Sequence, residues 1–189
     1  MRKDASRKAR GQAASNAVRT REFRADSPHN ADMMRLDAFD RKILAQLQAD
    51  ARKPAEAIGA SVGLSASAVQ RRIARLRDNG VIAAEVAVLE PKRIGRPLTM
   101  IVDLEVERER AELLAALKRW IAREPAIQQA WYVTGDGDYV LVVSARDVED
   151  YDALMQRLVS DNPNVRRFRT RVALGTLKRG LALPVEGAG

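Results

Sequence analysis

Between Ser65 and Arg77 the chain spaces serines and arginines so that a helix would gather them on one side. At 3.6 residues per turn, Ser67, Arg71 and Arg75 lie opposite a stripe of Val69, Ile73 and Leu76, with Ala68 and Arg72 on the shoulder beside them. An uncovered cationic helix face suits the major groove of double-stranded DNA, where guanidinium forks read guanine edges and peripheral cations hold phosphates. On this reading Ser67, Ala68, Arg71 and Arg72 lie near base edges, and Ser65, Lys53 and Arg75 contact phosphates. The same face is also an ordinary solvated surface, so the surrounding elements have to decide.

A second constellation, Thr134-Gly135-Asp136-Gly137-Asp138, could bind a small zwitterion. Glycines expose backbone N–H groups to a ligand carboxylate, and an acidic side chain binds its ammonium group. Thr134, Gly135, Asp136 and Asp138 are therefore candidate effector-binding residues, although a Gly-Asp turn is also a common way to join two strands. Arg167, Arg169 and Arg171 share one face of a predicted strand and read as solvated or rim residues rather than an anion site.

Other chemistry is poorly supplied. The 189 residues contain no cysteine and one histidine, His29, which removes thiolate metal sites, cysteine nucleophiles, histidine clusters and a Ser-His-Asp arrangement within one chain. No metal, cofactor or catalytic residue is expected. No apolar run approaches the roughly 20 residues needed to span a bilayer, and the N-terminus lacks a secretory apolar core, so the chain reads as cytoplasmic and nucleoid-associated. The net charge of +8 is concentrated. Residues 1–30 hold eight Lys/Arg against three Asp/Glu, and Lys92, Arg93 and Arg96 add a second basic group.

Residues 1–33, rich in Arg, Ala and Ser, lack an apolar period and read as a disordered basic tail, either an arm for phosphates or a dispensable extension. Met33-Met34 offers an alternative translation start. Residues 34–90 carry three helices. Asp37 caps the first, whose Leu36, Phe39, Ile43, Leu44 and Leu47 recur at helical spacing; Pro54 opens the second in its first turn; Ser65 caps the third, which ends at Asn79-Gly80. Gly59 suits a close helix crossing and Gly63 the turn of a helix-turn-helix. The branched run 81–89 predicts two short strands forming a wing without a basic tip. After a linker over 91–97, residues 98–184 alternate as strand (Met100, Val102, Leu104, Val106), helix (Leu113, Leu117, Trp120, Ile121), strand (Ile127, Gln129, Trp131, Val133), strand (139–145), helix (Val148, Tyr151, Leu154, Met155, Leu158) and strand (165–174). Residues 185–189 read as a flexible end. The fold class is α+β: a winged helix-turn-helix followed by a ferredoxin-like βαββαβ ligand-sensing and oligomerisation domain. Val140 to Val143 are apolar on both sides although helices cover only one face of such a sheet, which predicts a homo-oligomer meeting through its sheet faces.

Leu36-Asp37-Ala-Phe-Asp40-Arg-Lys-Ile-Leu44, Val62-Gly-Leu-Ser65, Arg72-Ile-Ala-Arg-Leu76, Asn79-Gly-Val-Ile82 and Val133-Thr-Gly-Asp-Gly-Asp-Tyr139, in that order, resemble the leucine-responsive regulator/asparagine regulator (Lrp/AsnC) family. The resemblance covers residues 36 to about 184. It implies an amino-acid-responsive transcriptional regulator that forms dimers and larger rings, with effector near the 134–138 turn between protomers. Two other classes compete. Decarboxylases of haem biosynthesis share the layout but rely on histidines in the second domain, and none follows His29 here. A nucleoid-type packaging oligomer would instead coat DNA with little sequence preference.

Overall fold

The computed structural model describes residues 34–185. The basic tail, residues 1–33, and residues 186–189 lie outside the described residues.

Three helices come first: α1 (Ala38–Ala49), α2 (Ala55–Val62) and α3 (Ala66–Asp78). The first and third start where a side chain supplies a partner for free N–H groups. The Asp37 side chain accepts from the Asp40 N–H at 2.8 Å, and the Asp37 N–H donates back to the Asp40 carboxylate at 3.2 Å, a reciprocal capping box. Ser65 accepts from the Ala68 N–H. Pro54 stands one position earlier than expected, as the residue before α2, and its carbonyl accepts from Ile58. Ile43, Ile58, Val62, Val69 and Ile73 form the buried cluster beneath the three helices. Phe39, expected on the inward stripe, is instead partly exposed, with the Arg72 guanidinium 5.4 Å above its ring.

Residues 81–90 do not form the expected two-strand wing. They run as a single unpaired segment with Val86, Val88 and Leu89 exposed. A tight hairpin there would need backbone at positive φ, and nothing between Ile82 and Glu90 adopts it. A short 3-10 turn, Pro91–Ile94, leads to the second domain.

That domain comprises β1 (Leu98–Val106), α4 (Ala111–Arg123), β2 (Ile127–Tyr132), β3 (Tyr139–Ala145), α5 (Val148–Asp161) and β4 (Val165–Val172). The sheet is antiparallel in the order β2-β3-β1-β4, the predicted ferredoxin-like arrangement. Alternation sends Met100, Val102 and Leu104 of β1 and Tyr139, Leu141 and Val143 of β3 to the same buried face as Leu117, Ile121, Leu154 and Leu158 of the helices. Along α4 the partner of this core is Leu114 rather than the expected Leu113, one step round the helix. On the uncovered face, register places Ile101, Val140, Val142 and the half-exposed Trp131 together, with Arg167, Arg169 and Arg171 beside Glu105 and Asp103. The three arginines thus share a face as predicted. Arg171 pairs with Asp103 at 2.6 Å and Arg167 with Glu105 at 2.5 Å.

Candidate nucleic-acid interface and effector turn

The turn between α2 and α3 is built by two glycines with different tasks. Gly63 ends α2 at φ 78°, a left-handed backbone that favours glycine. Gly59 allows a close approach, but to the turn rather than to a crossing helix: a Cβ there would stand 2.4 Å from the Leu64 carbonyl oxygen. Both the Gly63 and Leu64 N–H groups donate to the Gly59 carbonyl, at 2.9 and 3.0 Å. The chain reverses tightly and delivers α3 with its apolar stripe inward, Val69 and Leu76 fully buried and Ile73 nearly so.

The opposite side of α3 is open. Ser67, Arg71 and Arg75 are exposed, and Ala68 and Arg72 are half-buried on the shoulder. Gln70 and Ala74 lie on the same open face, and Gln70 was not among the residues singled out from the sequence. Its signal was available, since it sits one turn from Ser67 and Ala74, and a glutamine amide can pair with an adenine edge.

The cations of this face differ sharply. Arg71 has no hydrogen-bond partner among the described residues. Arg72 reaches Asp37 at 2.7 Å and Asp40 at 2.8 Å, and Arg75 reaches Asp40 at 2.7 Å. Asp40 is completely buried, so its charge is offset in place by two guanidiniums and a backbone N–H. The backbone N–H of Asp40, with Arg72 after it, holds the Asp37 carboxyl below its ordinary value, and the two carboxylates push the Arg72 guanidinium further toward its charged form. Arg72 therefore enters the open face already engaged with two carboxylates. Asp40 could have been suspected from the sequence. It shares the inward period of Ile43, Leu44 and Leu47, and an acid in an apolar stripe needs a cation.

Lys53 hydrogen-bonds Gln46, whose amide donates to Ser61 at 2.8 Å. The Ser65 hydroxyl lies 3.2 Å from that of Ser67 besides capping α3.

The 134–138 turn lies at the other domain's strand ends. Thr134, Gly135 and Asp136 are exposed, and Gly135 takes φ 124°. Asp138 is half-buried, and its Oδ2 accepts from the Val106 N–H at 2.7 Å where β1 shifts register. Its own N–H donates to the Leu104 carbonyl at 2.8 Å. Asp138 thus fastens the turn to β1 while its Oδ1 makes no hydrogen bond among the described residues. The neighbouring Tyr139 is buried and its hydroxyl has no partner among them; desolvation, then Tyr132, Asp138 and Glu109, push that phenol's pKa up.

Both domains match known families. Residues 36–77 match the AsnC-type helix-turn-helix domain and residues 99–183 the Lrp/AsnC ligand binding domain. An uncharacterized HTH-type transcriptional regulator of Sinorhizobium fredii is 40% identical over 153 residues, covering 81% of this chain and 90% of that protein. The crystal structure of an AsnC family transcriptional regulator from Agrobacterium tumefaciens superposes with a TM-score of 0.75 at 29% identity, covering 80% of this chain and 98% of that one. A transcriptional regulator from Neisseria meningitidis, solved as an L-Met complex, shares the fold with a TM-score of 0.74 at 23% identity over 80% of this chain and 98% of its own.

Proposed function

Because the chain belongs to the Lrp/AsnC family of transcriptional regulators, we propose that it is a sequence-specific DNA-binding regulator, cytoplasmic and working on the nucleoid, whose DNA contacts answer to an amino acid or related small molecule. The observation that carries the DNA reading is the open face of α3, set by the Gly59–Gly63 turn and presenting Ser67, Gln70 and the unpaired Arg71 together. Arg71 reads a base edge, with Ser67 and Ala68 beside it. Ser65 and Lys53 serve at the phosphates, and Arg72 and Arg75 keep their contacts with Asp40 while lining the same surface. Replacing Arg71 with Ala should weaken binding to a specific site by about 1–3 kcal/mol and leave assembly unchanged.

The effector reading rests on the turn. Thr134, Gly135 and Asp136 are open to solvent, and Asp136 and the free Oδ1 of Asp138 can together receive an ammonium group. That a relative of the same fold is an L-Met complex supports an amino acid as the ligand class. Asp138→Asn keeps an acceptor for Val106 and removes only the charge, so it should blunt the ligand response while DNA binding persists.

The homo-oligomer reading rests on the uncovered sheet face. Ile101, Val140, Val142 and Trp131 are apolar neighbours there, and burying such side chains against a second copy stabilises by roughly 1.5–3 kcal/mol each when complete. Dimers built this way present recognition helices in pairs and can assemble further.

The deciding experiment is a footprint on DNA flanking the protein's own gene, across a salt series, with and without amino acids. A discrete footprint that survives rising salt and shifts with one amino acid supports the whole reading. Featureless coating that washes away with salt would replace it with DNA packaging.

A further inference from the structure

Four arginines lie on α3, and three of them have carboxylate partners drawn from outside the helix. Arg72 and Arg75 are met by Asp37 and Asp40 from α1, and Arg77 is met by Glu85 at 2.6 Å from the segment after α3. These partners do not hide the cations. The Arg72 side chain keeps 25% of its surface exposed and Arg75 keeps 49%, so both remain on the side of α3 that faces outward. Asp40, in contrast, is buried completely and cannot swing away into solvent. The arrangement is a fixed counter-charge under two surface guanidiniums, with Asp37, half exposed, at its rim.

Nonspecific affinity for DNA scales with the number of phosphates a protein neutralises, each adding about 0.9 to the slope of log affinity against log salt. A cation already matched by a carboxylate adds little to that slope, and an aspartate at the rim repels phosphate. Resting on the reading of α3 as the DNA-contacting helix, we propose that Asp37 and Asp40 are specificity-determining positioning residues. They hold Arg72 and Arg75 out of indiscriminate phosphate binding and leave Arg71 as the free reader. Specificity is a difference between two affinities, and lowering the unwanted one raises it as surely as strengthening the wanted one.

Asp37→Asn in the full chain isolates this role. Asparagine caps a helix as well as aspartate does, so α1 keeps its start, while a cluster of two carboxylates and two guanidiniums gains one net positive charge. Binding is measured by fluorescence anisotropy on a random-sequence duplex and on the footprinted duplex, with circular dichroism to check folding. Affinity for random duplex should rise, and it should decline about threefold more between about 50 and about 200 mM salt for each freed cation. The ratio of specific to nonspecific affinity should fall severalfold. Asp40→Asn should move both readouts the same way. A purely structural strut would change the melting temperature and leave salt slope and ratio alone, and that result in folded Asp37→Asn overturns the proposal. Wild-type protein that binds neither duplex overturns the DNA reading and this proposal with it. Wild-type binding to the footprinted duplex, with Asp37→Asn indistinguishable from it, overturns the proposal alone.

Discussion

The two domains solve the same stability problem with different materials. The sheet domain gathers fifteen buried residues into one apolar cluster, and its buried polar groups are neutral: Ser144, Asn162 and Asn164 are hydrogen-bonded, and the Tyr139 hydroxyl has no partner among the described residues. The helical domain has a cluster of five, and the buried polar group beside it is a carboxylate, Asp40. Small helical cores gain from caps, tight turns and cross-helix pairs because little apolar area is available to bury. A buried ion pair is a weak source of stability, since desolvation cancels much of its attraction, whereas an apolar pair would serve as well. Its presence in the DNA-facing domain and not in the sheet therefore points to charge placement as its use.

The contrast can be broken from either side. Leu141→Ala, at the fully buried centre of the sheet, should cost about 2–5 kcal/mol in denaturant unfolding, because the rigid sheet and helices cannot collapse onto the void. Gly59→Ala should cost about 1–3 kcal/mol by forcing the Leu64 carbonyl away, and should cost DNA binding as well by rotating α3; unchanged melting would show the turn to be pliable. Acid provides a finer probe. The folded Asp37 carboxyl titrates below its ordinary value of 3.8, so its stabilisation is present above that value and is lost as pH falls through the folded one. Asp37→Asn should remove that component, giving a shallower loss of melting temperature between neutral pH and pH about 3. The smallest effect is expected from Arg171→Ala on the sheet, whose pair with Asp103 is largely solvated; its melting curve should overlay the wild type.

What could be read from the sequence follows the range of the interactions. Asp37, Ser65, Gly63 and the Asn79-Gly80 ending act within a few residues, and each does so in the structure as expected. The alternation of β1 and β3 is likewise local and emerged with its buried face correct. The wing failed because branched residues promote extension without supplying a turn, and residues 81–90 form no strand. Arg72 was placed on the right shoulder of α3, yet its partners stand 32 and 35 positions away, where periodicity carries no information. Asp138 shows the same limit: it was singled out as a ligand group, and its contact with Val106 across the register shift could not be read from the turn alone. The effector residues remain a chemical reading of an exposed turn, tested by the Asp138→Asn response.

The order β2-β3-β1-β4 also sets a timetable. In the central strand β1, Met100 pairs with Val143 on one side and with Val172 on the other, so β1 is incomplete until nearly the whole domain has been synthesised. Long separations between paired residues slow folding, whereas the three helices make their contacts within a short stretch of chain. On the ribosome the three helices can pack while β1 still awaits β4, and a nascent chain paused near residue 130 would already display the α3 surface before the sheet domain is complete.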